Sequence, residues 1–410
     1  MHKSSLTKID KTILLVNAVE HFDTALYGFL VPILSPMFFP HNDPLIALIL
    51  GYSVLATSLF TRPVGAFIFG MAARRYGPLR SLSYSVIGVG ITTLMIGCIP
   101  TYAAWGSMAA VALFLIRLLR GIFAAGESAI AKIYIMEGKI ETAAFRTSYY
   151  YPTSSMFGTI CASAAATFII WIDPEGSLWR YFFIGGGLVS LLGYFARHQG
   201  LKHEASDSRF NAYQPKFIGR LWEQKLIVLK VALTTGLSHV TSVFPFTILN
   251  SLVPLISDIS LTTMMAFNTA LLIFDLILIP LIGRFLESFH TLKVLRFSSC
   301  LLVITLPILF LYMDYCISIS YISIVRAIIV ILGVIFLCPQ HFYYKEICKN
   351  ASNDSYLLVG IGNALGAAII GKLTPVIVLW LFHVTQKLVV LGIYGSFIAL
   401  LTFYTISRKP

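Results

Sequence analysis

Residues 12–39 read TILLVNAVEHFDTALYGFLVPILSPMFF, an apolar run that is interrupted by two carboxylates, Glu20 and Asp23. At about 1.5 Å of rise per residue the run is long enough to cross a bilayer as a helix, which takes about 20 residues. A carboxylate near the middle of a membrane costs about 2.5–3.5 kcal/mol on insertion scales. Because folding alone does not require that cost, the pair is a candidate functional site within a membrane-spanning helix.

The composition of the whole chain is typical of an all-α integral membrane protein. Of its 410 residues, 57% are hydrophobic and 12% are charged, against about 25% charged in soluble domains. Runs of spanning length recur from end to end, whereas a β-barrel would show short alternating segments.

The six cysteines lack CxxC or metal-ligand spacing, so we expect neither disulfide bonds nor a metal site. The first run is expected to stay as a span, since no cleavage site follows it.

The apolar runs and their polar breaks predict twelve spans. Their approximate limits are 12–37, 45–72, 80–99, 104–134, 147–171, 179–197, 226–255, 262–286, 292–313, 318–344, 355–381 and 387–406. Basic residues lie in alternate breaks, and the breaks between them contain no Lys or Arg. The positive-inside rule therefore predicts a multi-pass protein of the cytoplasmic (inner) membrane with both termini cytoplasmic. The net charge of +12 comes from basic residues in the breaks on one side of the membrane. We therefore interpret it as a topology signal and expect no nucleic-acid partner.

The longest polar break divides the spans into two sets of six. We predict an N-terminal six-helix bundle at 1–197, a cytoplasmic central loop at 198–225 and a C-terminal six-helix bundle at 226–410. This arrangement is typical of alternating-access carriers, whose site lies near the midplane between two bundles.

Short motifs follow one another through the first half of the chain. They are E-x-x-D at 20–23, LYG-F-x-x-P at 26–32, FFP at 38–40, R-P-x-G at 62–65, R-L-x-x-G-x-x-x-x-G-E at 117–127, and Trp179-Arg180 followed by Arg197 and Glu204. In this combination the chain resembles the major facilitator superfamily, and more narrowly its metabolite:proton symporter branch. That branch includes proline/betaine, α-ketoglutarate, citrate, dicarboxylate and shikimate carriers.

The resemblance implies twelve transmembrane helices in two six-helix bundles and transport without a cofactor, with the proton gradient as the energy source. Two features depart from the family pattern. Arg74 stands where the family has an Asp that takes part in a cytoplasmic gate, and Tyr149, Tyr150 and Tyr151 replace a glutamine-rich stretch. From the first departure we expect this chain to gate differently or more loosely, and the second leaves a divergent substrate as an alternative.

Helical rise places several buried charges of the first half at similar depths. Asp23 is about 15 Å from the cytoplasmic side, in one band with Glu20, Arg62 and Glu127, and Arg117 lies above them. Glu20 and Asp23 share one helix face, where a carboxylate can load and release a proton as access alternates. We predict that Asp23, Glu20 and Glu127 couple proton movement. The alternative is a static ion pair with Arg62.

Arg117 and Arg120, three residues apart, form a fork that suits a substrate carboxylate. The predicted substrate-binding residues are Arg117, Arg62, Tyr27 and Arg120. The alternative for Arg117 is a structural pair with Glu127 or Asp23.

The second half offers fewer candidates. Asp275 and Arg326 interrupt apolar runs and are placed so that they can pair across the bundle. Lys372 lies in the small-residue stretch GNALGAAIIGKLTP at 362–375, for which close helix packing is the favoured role, and Gly362 and Gly366 have GxxxG spacing.

We expect proton-coupled uptake of a small carboxylate-bearing metabolite, either an amino acid or betaine osmolyte or a di- or tricarboxylate. The expected partners are the small molecule, protons and the lipid bilayer, and the expected state is a monomer. The slight excess of buried basic residues favours an anionic or zwitterionic substrate. Alternatives are an exporter or uncoupled facilitator, and, less favoured, a non-transporting sensor, which would need an output module. No enzymatic activity is expected.

Overall fold

A computed structural model describes residues 8–76, 78–134, 141–173, 177–204, 222–348 and 355–408. Within these ranges the regular structure is helical, which confirms the all-α fold class.

The first half consists of eight helices. They are α1 (Lys8–Phe38), α2 (Pro44–Ala56), α3 (Ser58–Tyr76), α4 (Pro78–Cys98), the short α5 (Tyr102–Trp105), α6 (Ser107–Tyr134), α7 (Glu141–Ile172) and α8 (Trp179–Glu204). Asp43 caps α2 by accepting from the Leu45 backbone N–H at 2.8 Å, since the first N–H groups of a helix lack partners within it.

In the described residues of the second half, two π-helical segments lie among the helices. The helices are α9 (Lys225–Val243), α10 (Leu249–Ile256), α11 (Leu261–Leu286), α12 (Thr291–Met313), α13 (Ile319–Ile347), α14 (Ser355–Leu365), α15 (Thr374–Thr385) and α16 (Val389–Ser407). A π segment at Phe244–Ile248 joins α9 to α10, and another at Gly366–Lys372 leads from α14 towards α15.

Each of the twelve predicted spans has a helical counterpart. Ten helices of the described residues are long and apolar enough to cross a membrane. The first helix is not among these ten, and it carries Glu20 and Asp23 near its middle. The sixth span counts as a shorter apolar helix, Trp179–Leu192. The second span divides at Thr57 between α2 and α3.

A polar clamp holds α1 against α7. The fully buried Asn17 donates to the Ser154 and Ser155 hydroxyls at 2.7 and 2.8 Å and to the Tyr151 carbonyl at 3.3 Å. The backbones also approach closely here, because a Cβ on Gly158 would lie 1.8 Å from the Ala18 carbonyl oxygen. These contacts therefore fix the rotation of α1, which carries Glu20 and Asp23, about its own axis.

The two halves of the sequence pack against each other along several helices. In these contacts α7 meets α11 and α13, α2 meets α15, and α14 meets α3 and α6. The division into bundles at 1–197 and 226–410 stays a prediction, and most of the central loop lies outside the described residues.

The expected close packing at the GxxxG spacing is confirmed. A Cβ on Gly366 would lie 2.2 Å from the Ala232 carbonyl oxygen, and one on Gly362 would lie 2.6 Å from Val231 Cβ. Absence of side chains at these two positions allows the eleventh span to lie directly on α9.

Candidate substrate and proton site

Asp23 forms an ion pair with Arg120 between α1 and α6. Arg120 Nε donates to Asp23 Oδ2 at 2.7 Å, and the Thr93 hydroxyl of α4 donates to the same oxygen at 2.6 Å. Arg120 Nη2 also donates to the Thr24 hydroxyl at 3.0 Å. Three helices therefore meet at one carboxylate, whose residue is 1% exposed.

The charge of Asp23 offsets the desolvation of Arg120, and a buried cation that loses its partner is strongly destabilised. A proton on Asp23 would remove that partner and alter how α1, α4 and α6 hold together. The other carboxylate oxygen, Oδ1, is buried without a hydrogen-bond partner, so a proton there would displace no existing bond.

Arg117 lies one turn before Arg120 on α6 and contacts a different group. Its guanidinium carbon lies 3.6 Å from the centroid of the Tyr27 ring, within the range of a cation–π interaction. The Tyr27 hydroxyl donates to the Gly51 carbonyl at 3.2 Å, which fixes the ring. Arg117 is 4% exposed, and its Nε and Nη2 atoms are buried without hydrogen-bond partners. Such N–H groups, charged and preoriented, suit an incoming carboxylate.

Glu20 is buried one turn before Asp23 and faces other groups. Its Oε2 lies 3.7 Å from His21 Nδ1, and the residue lines a small cavity of about 10 Å³ together with Ser190, whose hydroxyl is buried without a partner. Arg62 interacts electrostatically with Glu20. The two carboxylates thus have separate surroundings, although they share one helix.

The predicted partners of the carboxylates are corrected in part by the structure. Arg120 pairs with Asp23, in the place proposed for Arg62, and Arg117 stacks on Tyr27 without pairing with Asp23. The reason is the rotation of α6, which turns Arg120 towards α1 and α4 and turns Arg117 towards the Tyr27 ring. The two arginines therefore do not act as one fork in this conformation.

Three further predicted features lie outside the described side chains. They concern Glu127, Arg74, and the pair Arg197 and Glu204.

Sequence reasoning missed the polar groups that complete the pair. Thr93 and Thr24 carry no signal in sequence, because threonine hydroxyls in helices usually bond to their own helix backbone. For Lys372 the small-residue stretch favours a packing role, yet the structure places this lysine where Glu20 and the first-half arginines act on it electrostatically. A lysine inside an apolar span is itself a signal of function.

The expected pairing of Asp275 with Arg326 is wrong. Arg326 donates from Nη2 to the Asn268 side-chain oxygen, and Asn268 donates to the Ser163 hydroxyl at 3.2 Å. Asn268 and Asp275 are about two turns apart on α11, so Arg326 contacts α11 at a different level from Asp275. The buried arginine is thereby linked through α11 to α7 of the first half.

At the other end of the α7–α11 contact, the Tyr149 hydroxyl donates to Glu287 at 3.3 Å. Gly283 allows this approach, since a Cβ there would lie 3.2 Å from the Tyr149 ring. The tyrosine that departs from the family pattern thus makes a contact between the two halves.

Comparison with known proteins finds transporters in sequence and in structure. No family model matches the chain. The chain is 24% identical to the proline/betaine transporter of Salmonella typhimurium over 428 residues, covering 96% of this chain and 81% of the relative. A putative proline/betaine transporter of Staphylococcus aureus is 30% identical over 188 residues, which cover 45% of this chain and 40% of the relative.

The solved structures that it resembles are membrane carriers. The partially occluded inward-open xylose transporter of E. coli superposes with a TM-score of 0.74 at 15% identity, covering 98% of this chain and 97% of that one. A human organic anion transporter gives a TM-score of 0.68 at 11% identity, covering 98% and 99%. These likenesses confirm the predicted fold, and the named relatives confirm the resemblance to carriers, which are not enzymes.

Proposed function

We propose that this chain, which has the major facilitator fold, is a secondary active transporter for proton-coupled uptake of a small carboxylate-bearing metabolite. The fold and the transporter relatives support the class. The observation that carries the chemistry is the pairing of Asp23 with Arg120 next to Arg117, whose Nε and Nη2 atoms are buried without a hydrogen-bond partner.

Each group has one role in the proposed cycle. Asp23 or Glu20 takes a proton from the outer side, and the substrate carboxylate binds to the unpartnered N–H groups of Arg117 and lies against Tyr27. The two halves then rock about the bound substrate, and the proton and substrate leave on the cytoplasmic side. Both termini lie in the cytoplasm, as the distribution of basic residues indicates.

The relatives' names support the uptake of proline or betaine, and the excess of buried arginine supports an anionic alternative. Both classes carry the carboxylate that the proposed site binds. Glu127 and Arg62 keep their proposed roles as coupling and binding residues, on the basis of their depth alone.

The experiment is uptake into proteoliposomes of purified protein with a lumen more alkaline than the outside. The radiolabelled panel contains proline, glycine betaine, citrate, succinate and α-ketoglutarate, each tested with and without a protonophore. We expect at least one compound to accumulate above its external concentration and to lose that accumulation with the protonophore. Uptake that only equilibrates would make the protein a facilitator, and the absence of both uptake and counterflow would contradict a transport function.

A further inference from the structure

We infer that Lys372 is the anion anchor of the second half, and that the substrate carries two acidic groups, one held by Arg117 and one by Lys372. This inference rests on the proposed function and names its substrate class.

Lys372 lies where the second half faces the charges of the first. The π segment that ends at Lys372 packs against α2 and α3 of the first half. The charges of Arg62, Arg117, Arg120 and Glu20, all on first-half helices, act on Lys372. It is partly exposed, although it lies within a predicted membrane span. Among the described residues it forms neither an ion pair nor a hydrogen bond, so its ammonium group is free for a ligand.

The backbone around Lys372 is held in an uncommon form. Lys372 is the last residue of the π segment Gly366–Lys372, and π segments in α-helices are frequent at functional sites. Close contacts fix this segment on α9: Gly366 meets the Ala232 carbonyl, and a Cβ on Gly371 would lie 2.8 Å from His239 Cγ. The lysine therefore projects from a rigid support.

The charges of this cluster do not balance. The described cations are Arg62, Arg117, Arg120 and Lys372, and the described acids are Glu20 and Asp23. Asp23 is engaged by Arg120, and Glu20 acts on Arg62. Among the described residues, Arg117 and Lys372 have no ion-pair partner of their own, although Asp23 and Glu20 act on them at longer range.

Glu127 is on the same helix as Arg117, and its backbone is distant from that of Arg117. The two residues are ten positions apart on α6, which is about 15 Å along the helix axis. Glu127 is thus at another level of the molecule.

Two unpaired cations in a low-dielectric interior favour a ligand with two negative charges. A betaine would place its quaternary ammonium against this excess of positive charge, which is unfavourable. Because Arg117 and Lys372 come from opposite halves, a dicarboxylate that reaches both also draws the halves together around it. The geometry thus favours a dicarboxylate over a zwitterion.

The test compares dicarboxylates with their singly charged analogues in the same proteoliposomes. The probes are succinate and α-ketoglutarate, the mono-amide succinamate, proline and glycine betaine. For the wild type we expect accumulation of a dicarboxylate, with succinamate at least about tenfold weaker, which corresponds to about 1.4 kcal/mol. In Lys372→Gln we expect the KM for the dicarboxylate to rise about tenfold or more while that for succinamate changes little.

Two variants serve as controls. Lys372→Arg keeps the charge and is expected to retain the dicarboxylate preference, which separates loss of charge from misfolding. Lys387→Gln removes an exposed lysine and is expected to behave as the wild type.

The outcomes separate this inference from the proposed function. Gradient-driven accumulation of proline or glycine betaine without any dicarboxylate would overturn the inference and leave proton-coupled uptake standing. Equal loss of succinate and succinamate in Lys372→Gln would also overturn it. If no compound accumulates in response to the gradient, the proposed function fails first.

Discussion

The burial and the contacts of Arg117 indicate a ligand-binding role for this residue. A guanidinium that is 4% exposed, stacked on Tyr27 and left with two unpartnered nitrogens is costly in an empty protein. The cost is offset when an anion binds, so the residue is organised for a ligand before the ligand arrives.

We predict that Arg117→Ala weakens substrate binding more than transport itself. The KM of the accumulated substrate should rise at least about tenfold, because charge-assisted hydrogen bonds to the carboxylate are lost. Gradient-driven uptake at increasing substrate concentration measures this effect. The matched control is Arg284→Ala, which removes an exposed arginine at the end of α11. An unchanged KM in Arg117→Ala would exclude Arg117 as the carboxylate anchor.

At the residue scale, the sequence predicted which charged residues are buried better than it predicted their partners. The free-energy cost of a charge in a membrane is enough to identify Asp23, Arg117 and Arg120. The choice of Arg120 over Arg62 as partner depends on how α6 is rotated against α1. Sequence spacing does not determine that rotation, which is set by packing of whole helices.

At the scale of helices, the close approach of the eleventh span to α9 depends on glycine. Gly366 lies at the start of the π segment that ends with Lys372, and no side chain fits between it and Ala232. This contact fixes the backbone that presents the proposed second anchor.

We predict that Gly366→Ala destabilises the protein by about 1–3 kcal/mol, since the new methyl group must push backbone against backbone. A lower melting temperature in detergent, together with reduced uptake, would show this. Gly185→Ala is the matched control, because nothing lies within 4 Å of a Cβ there. Equal melting temperatures for the two variants would contradict the close contact.

Hydropathy predicted the helices themselves but not their irregularities. Apolar length and polar breaks suffice to locate a helix for each of the twelve predicted spans, ten of which are matched by helices long and apolar enough to cross a membrane. The irregularities are the division at Thr57 and the two π segments of the described residues. They depend on local packing and on backbone hydrogen bonds that shift by one residue, so hydropathy does not predict them.

At the scale of the molecule, hydrogen bonds join the two halves at several levels. The Tyr52 hydroxyl and the Ser251 hydroxyl lie 2.7 Å apart, both buried, between α2 and α10. The Ser163 and Thr269 hydroxyls lie 2.9 Å apart between α7 and α11. A carrier that rocks its halves must break or exchange such bonds, so they set the balance between its conformations.

We predict that Ser251→Ala shifts this balance towards a form opened between α2 and α10. Loss of one buried hydrogen bond is worth about 1 kcal/mol, enough to change a two-state population about fivefold. Spin labels at His41, just before α2, and at Lys387, just after the second-half helix α15 that packs on α2, should report a larger share of long distances by electron paramagnetic resonance. Ser53→Ala is the control, because that hydroxyl donates within its own helix to Leu50. The same distance distribution in Ser251→Ala and the wild type would contradict a gating role.

The central claim for this protein is that substrate and proton move together, with Asp23 as a proton acceptor. The most direct measurement is the lumenal pH of proteoliposomes, followed with a trapped dye, when the accumulated substrate is added without an imposed gradient. We predict acidification of the lumen with the wild type and with the control Asp258→Asn. We predict none with Asp23→Asn, which should still exchange substrate in counterflow. Substrate entry into wild-type vesicles with no change in lumenal pH would contradict proton-coupled uptake.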